Sequence, residues 1–123
     1  MPIRCLIVDD NDSFLEAARL LLEREGLTVV GVASTCADGL REAALLRPDV
    51  VLVDISLGEE SGFDLARSLV DGREVDGATV ILISTHDETT LADLIAASPA
   101  AGFIPKAELS ASAIRRIVDG SSS

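Results

Sequence analysis

Five polar residues stand where apolar, β-branched runs of this 123-residue chain end. Asp9 and Asp10 follow Ile3–Val8, Asp54 follows Val50–Val53, Ser84 follows Val80–Ile83, and Lys106 comes just after Gly102–Ile104. If those runs are strands of one sheet, three carboxylates, a hydroxyl and an ammonium meet at one rim. Carboxylates crowded in this way repel one another, and at least one keeps its proton unless a cation joins them. A hard divalent ion resolves the conflict, because Mg²⁺ takes one or two carboxylates as ligands and retains several waters. A carboxylate beside such an ion can act as a nucleophile toward phosphorus. A lysine and a hydroxyl can then hold the remaining phosphoryl oxygens. Taken singly, an aspartate after a strand can cap the next helix, a serine is a loop hydroxyl, and a lysine is a solvated charge. The set, in this order, points to chemistry.

The elements that must position these residues follow from periodicity. Besides the four runs above, Thr28–Val32 is apolar, and all five are continuous rather than alternating. That is the pattern of parallel strands buried on both faces. Five amphipathic segments lie between and after them. The first carries a capping box, Ser13 with Glu16, shows an apolar stripe of Phe14, Ala17, Ala18, Leu21 and Leu22, and ends at Gly26. The second spans Thr35 to Leu46 and stops at Arg47-Pro48. The third starts near Ser61, buries Leu65 and Leu69, and ends at Asp71-Gly72; the fourth spans Glu88 to Ala97. The fifth starts near Ser110, buries Ile114, Ile117 and Val118, and ends at Gly120. The order βαβαβαβαβα with right-handed crossovers gives a doubly wound, three-layer α/β domain over residues 1–119, with a fraying tail over 120–123. In such sheets ligands bind beyond the carboxyl ends of the strands, where the five polar residues stand.

Composition narrows the function classes. The net charge is −11, with nine arginines, one lysine and one histidine. Such an acidic chain is unsuited to binding nucleic acid directly or to adsorbing on anionic membranes. No apolar run reaches the roughly 20 residues that span a bilayer, and the N-terminus turns acidic too early for a signal peptide. A cytoplasmic location is expected. Cys5 and Cys36 have no metal-ligand spacing, and Cys5 reads as a small core hydrophobe. With His86 as the sole histidine, a zinc site is nearly excluded and a catalytic triad would have to use it.

From Ile3 to Asp119 the chain resembles the receiver domain of two-component response regulators. The acidic pair follows LIV; Asp54 lies in VVLVDISLGEESG with Gly62 eight residues on; Ser84 closes VILIS; Lys106 lies in AGFIPKAELS. The resemblance implies a flavodoxin-like (βα)5 fold with a parallel sheet of order 2-1-3-4-5. It implies that Asp54 is the phospho-acceptor, served by a sensor histidine kinase, a phosphotransfer protein or a small phosphodonor. Asp10 would ligate Mg²⁺ directly, Asp9 mainly through water, and Asp54 and the Ser56 carbonyl would complete the protein ligands. Lys106 would pair with the phosphoryl group, or with Asp54 before transfer. Ser84 and Phe103 would switch in concert and report to a face made by the fourth helix, fifth strand and fifth helix. There a downstream protein or an output domain would read the state.

Some positions depart from the family's commonest pattern. Leu57-Gly58 stands where Met-Pro is frequent, which makes that loop more permissive. Lys106 is often followed by a cis-proline, whereas here Pro105 precedes it and Ala107 follows. A cis bond at Lys106–Ala107 would cost about 3–4 kcal/mol. This Pro-Lys-Ala variant resembles receivers that precede helix-turn-helix output domains, which points to transcription regulation. His86, two residues past the switch hydroxyl, either gates the attacking water or is an exposed loop residue. The chain is expected to be a self-phosphorylating signalling domain, not an enzyme turning over external substrates. A pseudo-receiver and a small Mg²⁺-dependent aspartyl-phosphate phosphohydrolase remain alternatives, as do stand-alone and excised receivers. A homodimer, through the first and fifth helices or through the readout face, is compatible with the residues, which select neither.

Overall fold

The computed structural model describes residues 3–71, 78–85 and 88–121, with the backbone alone for 88–91 and 121. His86 and Gly72 lie outside the described residues. The elements are β1 (Arg4–Val8), α1 (Asp12–Arg24), β2 (Thr28–Ala33), α2 (Cys36–Leu46), β3 (Val50–Asp54), β4 (Ser56–Leu57), β5 (Glu60–Ser61), α3 (Gly62–Asp71), β6 (Thr79–Ser84), α4 (Glu88–Ala97), β7 (Gly102–Pro105), a 3₁₀ turn (Lys106–Glu108) and α5 (Ala111–Ser121). Strands β2-β1-β3-β6-β7 pair in parallel into one sheet. Counting only its five strands, this is the expected 2-1-3-4-5 order.

The continuous apolar runs are explained by the sheet's two covered faces. Cys5, Ile7, Val50, Leu52, Ile81 and Ile83 point toward α1 and α5, where they pack with Leu15, Ala18, Leu22 and Ile114. Their neighbours Leu6, Val8, Val51, Val53, Val80 and Leu82 point the other way, onto Ala43, Leu65, Ala66 and Leu69 of α2 and α3. Because successive side chains alternate faces, a strand covered on both sides must be apolar at every position. Cys5 behaves as one of these hydrophobes, and burial pushes its thiol up to about 12.

The helix ends differ from the expected ones in instructive ways. Helix α1 is capped by Asn11, whose side chain accepts the Phe14 N–H at 3.1 Å. Asn11 is itself fixed by its own N–H on Asp9 Oδ1 at 2.9 Å, so the helix starts earlier than the Ser13 capping box implied. Gly26 closes α1 with φ of 100°, and Thr35, expected as the first residue of α2, instead caps it from one position outside. Arg4 bridges from β1 to the end of α2, donating to the carbonyls of Arg47 (2.9 Å) and Leu46 (2.7 Å). These are carbonyls that the helix itself cannot satisfy. Helix α5 continues through Gly120 to Ser121, so the expected boundary at Gly120 moves outward. Among the described residues no peptide bond is cis, so the Lys106–Ala107 bond is trans.

The hairpin β4–β5 was not anticipated. It pairs Ser56 with Ser61 and Leu57 with Glu60 through a two-residue turn, in which Gly58 has φ of 63°. It returns the chain so tightly that a Cβ on Gly62 would lie 2.0 Å from the Asp54 carbonyl oxygen and 2.8 Å from Ile55 Cα. Only glycine fits, and its N–H donates to the Ile55 carbonyl at 2.7 Å. Gly62→Ala should therefore cost about 3 kcal/mol or more, since the collision is with backbone rather than a flexible side chain. Gly120→Ala, with nothing within 4 Å of the added methyl, should be neutral or gain up to about 0.5 kcal/mol. Urea denaturation followed by circular dichroism distinguishes the two.

Candidate functional site

The sheet order sets the site. Strands β1 and β3 are neighbours, so Asp9, Asp10 and Asp54 leave adjacent carboxyl ends. Strand β6 lies next, its Ile83 in register with Asp54, and Ser84 follows at the strand's end. Strand β7 completes the rim, with Pro105 in register with Ser84 and Lys106 one residue on. One carboxylate oxygen from each of Asp9, Asp10 and Asp54 lies within 4.8 Å of the others. Asp9 and Asp54 are buried and Asp10 is exposed.

Lys106 occupies the middle of this charge. Its Nζ lies 2.6 Å from Asp9 Oδ2 and 3.4 Å from Asp54 Oδ2, and its side chain is only 12% exposed. The contact to Asp9 is an ion pair without hydrogen-bond alignment, and Asp9 Oδ2, fully buried, has no hydrogen bond. Asp54 is held from two sides. Its Oδ1 accepts the Ser56 N–H at 3.3 Å and its Oδ2 accepts from Lys106. Burial, and then the negative charge of Asp9, push its pKa up to about 6; Lys106 and the Ser56 N–H oppose the shift without cancelling it. One ammonium does not neutralise three carboxylates. A hydrogen-bond-free buried oxygen and a carboxylate of raised pKa fit a hard cation with oxygen ligands.

Of the other expected site residues, Ser84 is buried at the end of β6. Phe103 lies in β7 opposite Leu82, half-buried against the α2–α3 side of the core together with Ile95 and Ala100. Ser56 is exposed at the start of the β4–β5 hairpin. The structure thus brings Asp9, Asp10, Asp54 and Lys106 into one cluster. Ser84 is placed at its edge, and Phe103 a short way along β7. Phe14 was overlooked as a site residue. Its place in an amphipathic stripe reads as core, yet its ring centroid lies 4.3 Å from Lys106 Nζ. No local pattern signals this role, because the neighbour that makes Phe14 a site residue arrives from the end of β7, at the far end of the sequence.

Comparison with known proteins agrees with this geometry. The family profile described as response regulator receiver domain matches residues 5–119. The response regulator GacA of Pseudomonas aeruginosa is 33% identical over 122 residues, which is 96% of this chain and 56% of that protein. Protein PilH of the same organism is 36% identical over 87 residues, 71% of each chain. Among solved structures, the signal receiver domain of the putative response regulator NarL from Mycobacterium tuberculosis superposes with a TM-score of 0.84 at 27% identity. That match covers 97% of this chain and 98% of that one. The chain belongs to the response regulator receiver family. It spans about half the length of the first curated relatives it matches.

The raised Asp54 pKa has a consequence for stability. A carboxyl that ionises near 6 when folded and near 3.8 when unfolded penalises the folded state progressively as pH rises between those values. Without divalent cations at pH 7, Asp54→Asn should therefore stabilise the fold by up to about 2–3 kcal/mol. The advantage should fade below about pH 4, where the native residue is protonated too. Thermal unfolding of both proteins at the two pH values, in chelator, checks this.

Proposed function

We propose that this domain is a phosphorylation-controlled switch in which Asp54 accepts a phosphoryl group and the change is read on the α4–β7–α5 face. The observation that carries the reading is the buried Asp54 carboxylate, bonded to the sole lysine and clustered with two further carboxylates. Asp9, Asp10, Asp54 and the Ser56 backbone carbonyl would hold Mg²⁺, which supplies positive charge where donor and acceptor oxygens approach each other. Asp54 provides the nucleophile: one of its oxygens forms a bond to phosphorus as the donor's P–N or P–O bond breaks. The bonding pair leaves with the imidazole of a histidine kinase or phosphotransfer protein, or with acetate from acetyl phosphate. The Ser56 N–H and Lys106 orient the attacking carboxylate beforehand, and Lys106 then faces the new phosphoryl oxygens.

Ser84 sits between β3 and the start of the Lys106 turn, where its hydroxyl meets a phosphoryl oxygen after a small movement. Phe103, which packs against the same side of the core as Ile95 of α4, carries that movement to α4. A bias of a few kcal/mol suffices to move such an equilibrium from mostly one state to mostly the other. The exposed Leu94, Ala96 and Ala97 on α4 offer the reading partner apolar contact. The partner is a separate protein in the cytoplasm or an output domain of the kind that regulates transcription.

The test is intact mass after incubation with Mg²⁺ and acetyl phosphate. One added phosphoryl group is expected, dependent on Mg²⁺ and absent from Asp54→Ala. No gain from any donor would overturn the acceptor reading in favour of a pseudo-receiver, and multiple turnover of unrelated phosphate esters would favour a hydrolase.

A further inference from the structure

Lys106 has neighbours of two kinds. Two carboxylates approach its ammonium, at 2.6 and 3.4 Å, and the Phe14 ring faces it at 4.3 Å. A lysine ammonium is compact and strongly hydrated, on a flexible four-carbon stem. At 12% exposure most of that hydration is gone. The carboxylates replace part of it, and the negative face of an aromatic ring replaces more while keeping water away.

Phe14 is not free to drift from this place. Asp9 Oδ1 accepts the Asn11 N–H (2.9 Å), and Asn11 Oδ1 accepts the Phe14 N–H (3.1 Å). The Phe14 ring faces Lys106, and Lys106 returns to Asp9 Oδ2. Asp9, Asn11, Phe14 and Lys106 form a closed circuit, in which the helix cap sets the height of the ring and the ring sets the position of the ammonium. The rest of the Phe14 side chain packs against the α1–α5 side of the core.

We propose that Phe14 is a positioning residue for phosphoryl transfer, holding the Lys106 ammonium over Asp54 by a cation–π contact that an aliphatic residue of similar size cannot supply. The inference rests on the acceptor reading above for its chemistry, but its geometry is testable without it. Lys106 is the chain's one lysine, so isotope-labelled lysine gives a single, unambiguous set of NMR signals. Its side-chain protons should lie upfield in the native protein, under the ring current, and return toward ordinary positions in Phe14→Leu. Signals that Phe14→Leu leaves in place would overturn the contact.

Transfer from acetyl phosphate supplies the second arm. Phe14→Leu should be phosphorylated roughly five- to thirtyfold more slowly, the range expected for losing a largely desolvated cation–π contact. Phe14→Tyr, which keeps the ring face, should stay within about twofold of the native rate. In a Lys106→Met background, Phe14→Leu should cause no further loss, because the residue acts through the ammonium. The same loss with and without the lysine would show packing alone and overturn the proposal. If the native protein takes no phosphoryl group, the acceptor reading fails, and the lysine spectrum by itself decides whether Phe14 sets the ammonium's place.

Discussion

The rest of the structure depends on an imbalance of charge: three carboxylates face one ammonium at the carboxyl edge of the sheet. Lys106 relieves the repulsion between Asp9 and Asp54 but cannot abolish it, and Asp54 remains hard to ionise. A fold built for stability alone would not bury two aspartates side by side, because uncompensated charge in a low-dielectric setting is costly. The two-sided apolar core holds them there. Strands β1 and β3 are buried at every position from Cys5 to Val8 and from Val50 to Asp54, so the carboxylates at their ends have no freedom to move apart. The site is strained electrostatically because the sheet beneath it is rigid.

That arrangement also explains the backbone around Asp54. The chain leaves β3, turns through the β4–β5 hairpin, and returns so closely that Gly62 touches the carbonyl of Asp54 itself. The Gly62 and Ser56 amides clamp the residues on either side of the acceptor's exit from the sheet. A side chain at position 62 would push the acceptor strand outward and change its distance to Lys106. The eight-residue spacing between Asp54 and Gly62 is visible in the sequence. Its cause, a contact between two backbones, appears only in three dimensions.

The same division runs through the molecule. The five strands, the helix count and the four clustered charges were legible, because each rests on a local pattern: continuous β-branched runs, a 3.6-residue apolar period, and polar residues at run ends. The strand order was implied by the resemblance to receiver domains, not by any local pattern. Helix α4 was found at its observed bounds, Glu88–Ala97, and α2 within one residue of its observed start. What escaped depends on contacts between distant residues. Ser13 and Glu16 make a good capping box on paper. Asn11 wins because Asp9, at the end of β1, holds its backbone in place. Gly120 reads as a stop, yet α5 runs past it. Phe14 reads as core, and only the approach of β7 shows that one face of its ring belongs to the site.

The chain's use of nine arginines and one lysine fits this division of labour. Where a cation is needed to fasten backbone, an arginine does it. Arg4 spans two carbonyls at the end of α2 with its two terminal nitrogens, a task for a planar fork. At the rim the requirement is different. The cation must fit between Asp9 and Asp54, lie against a ring, and still turn toward new oxygens. A guanidinium would fill that space and fix both carboxylates in a bidentate pair, leaving no room for a divalent ion or a phosphoryl group. A point charge on a flexible stem satisfies the carboxylates incompletely, and the incompleteness is useful. It leaves Asp9 Oδ2 without a hydrogen bond and Asp54 with a raised pKa, so the site gains from every further positive charge brought to it.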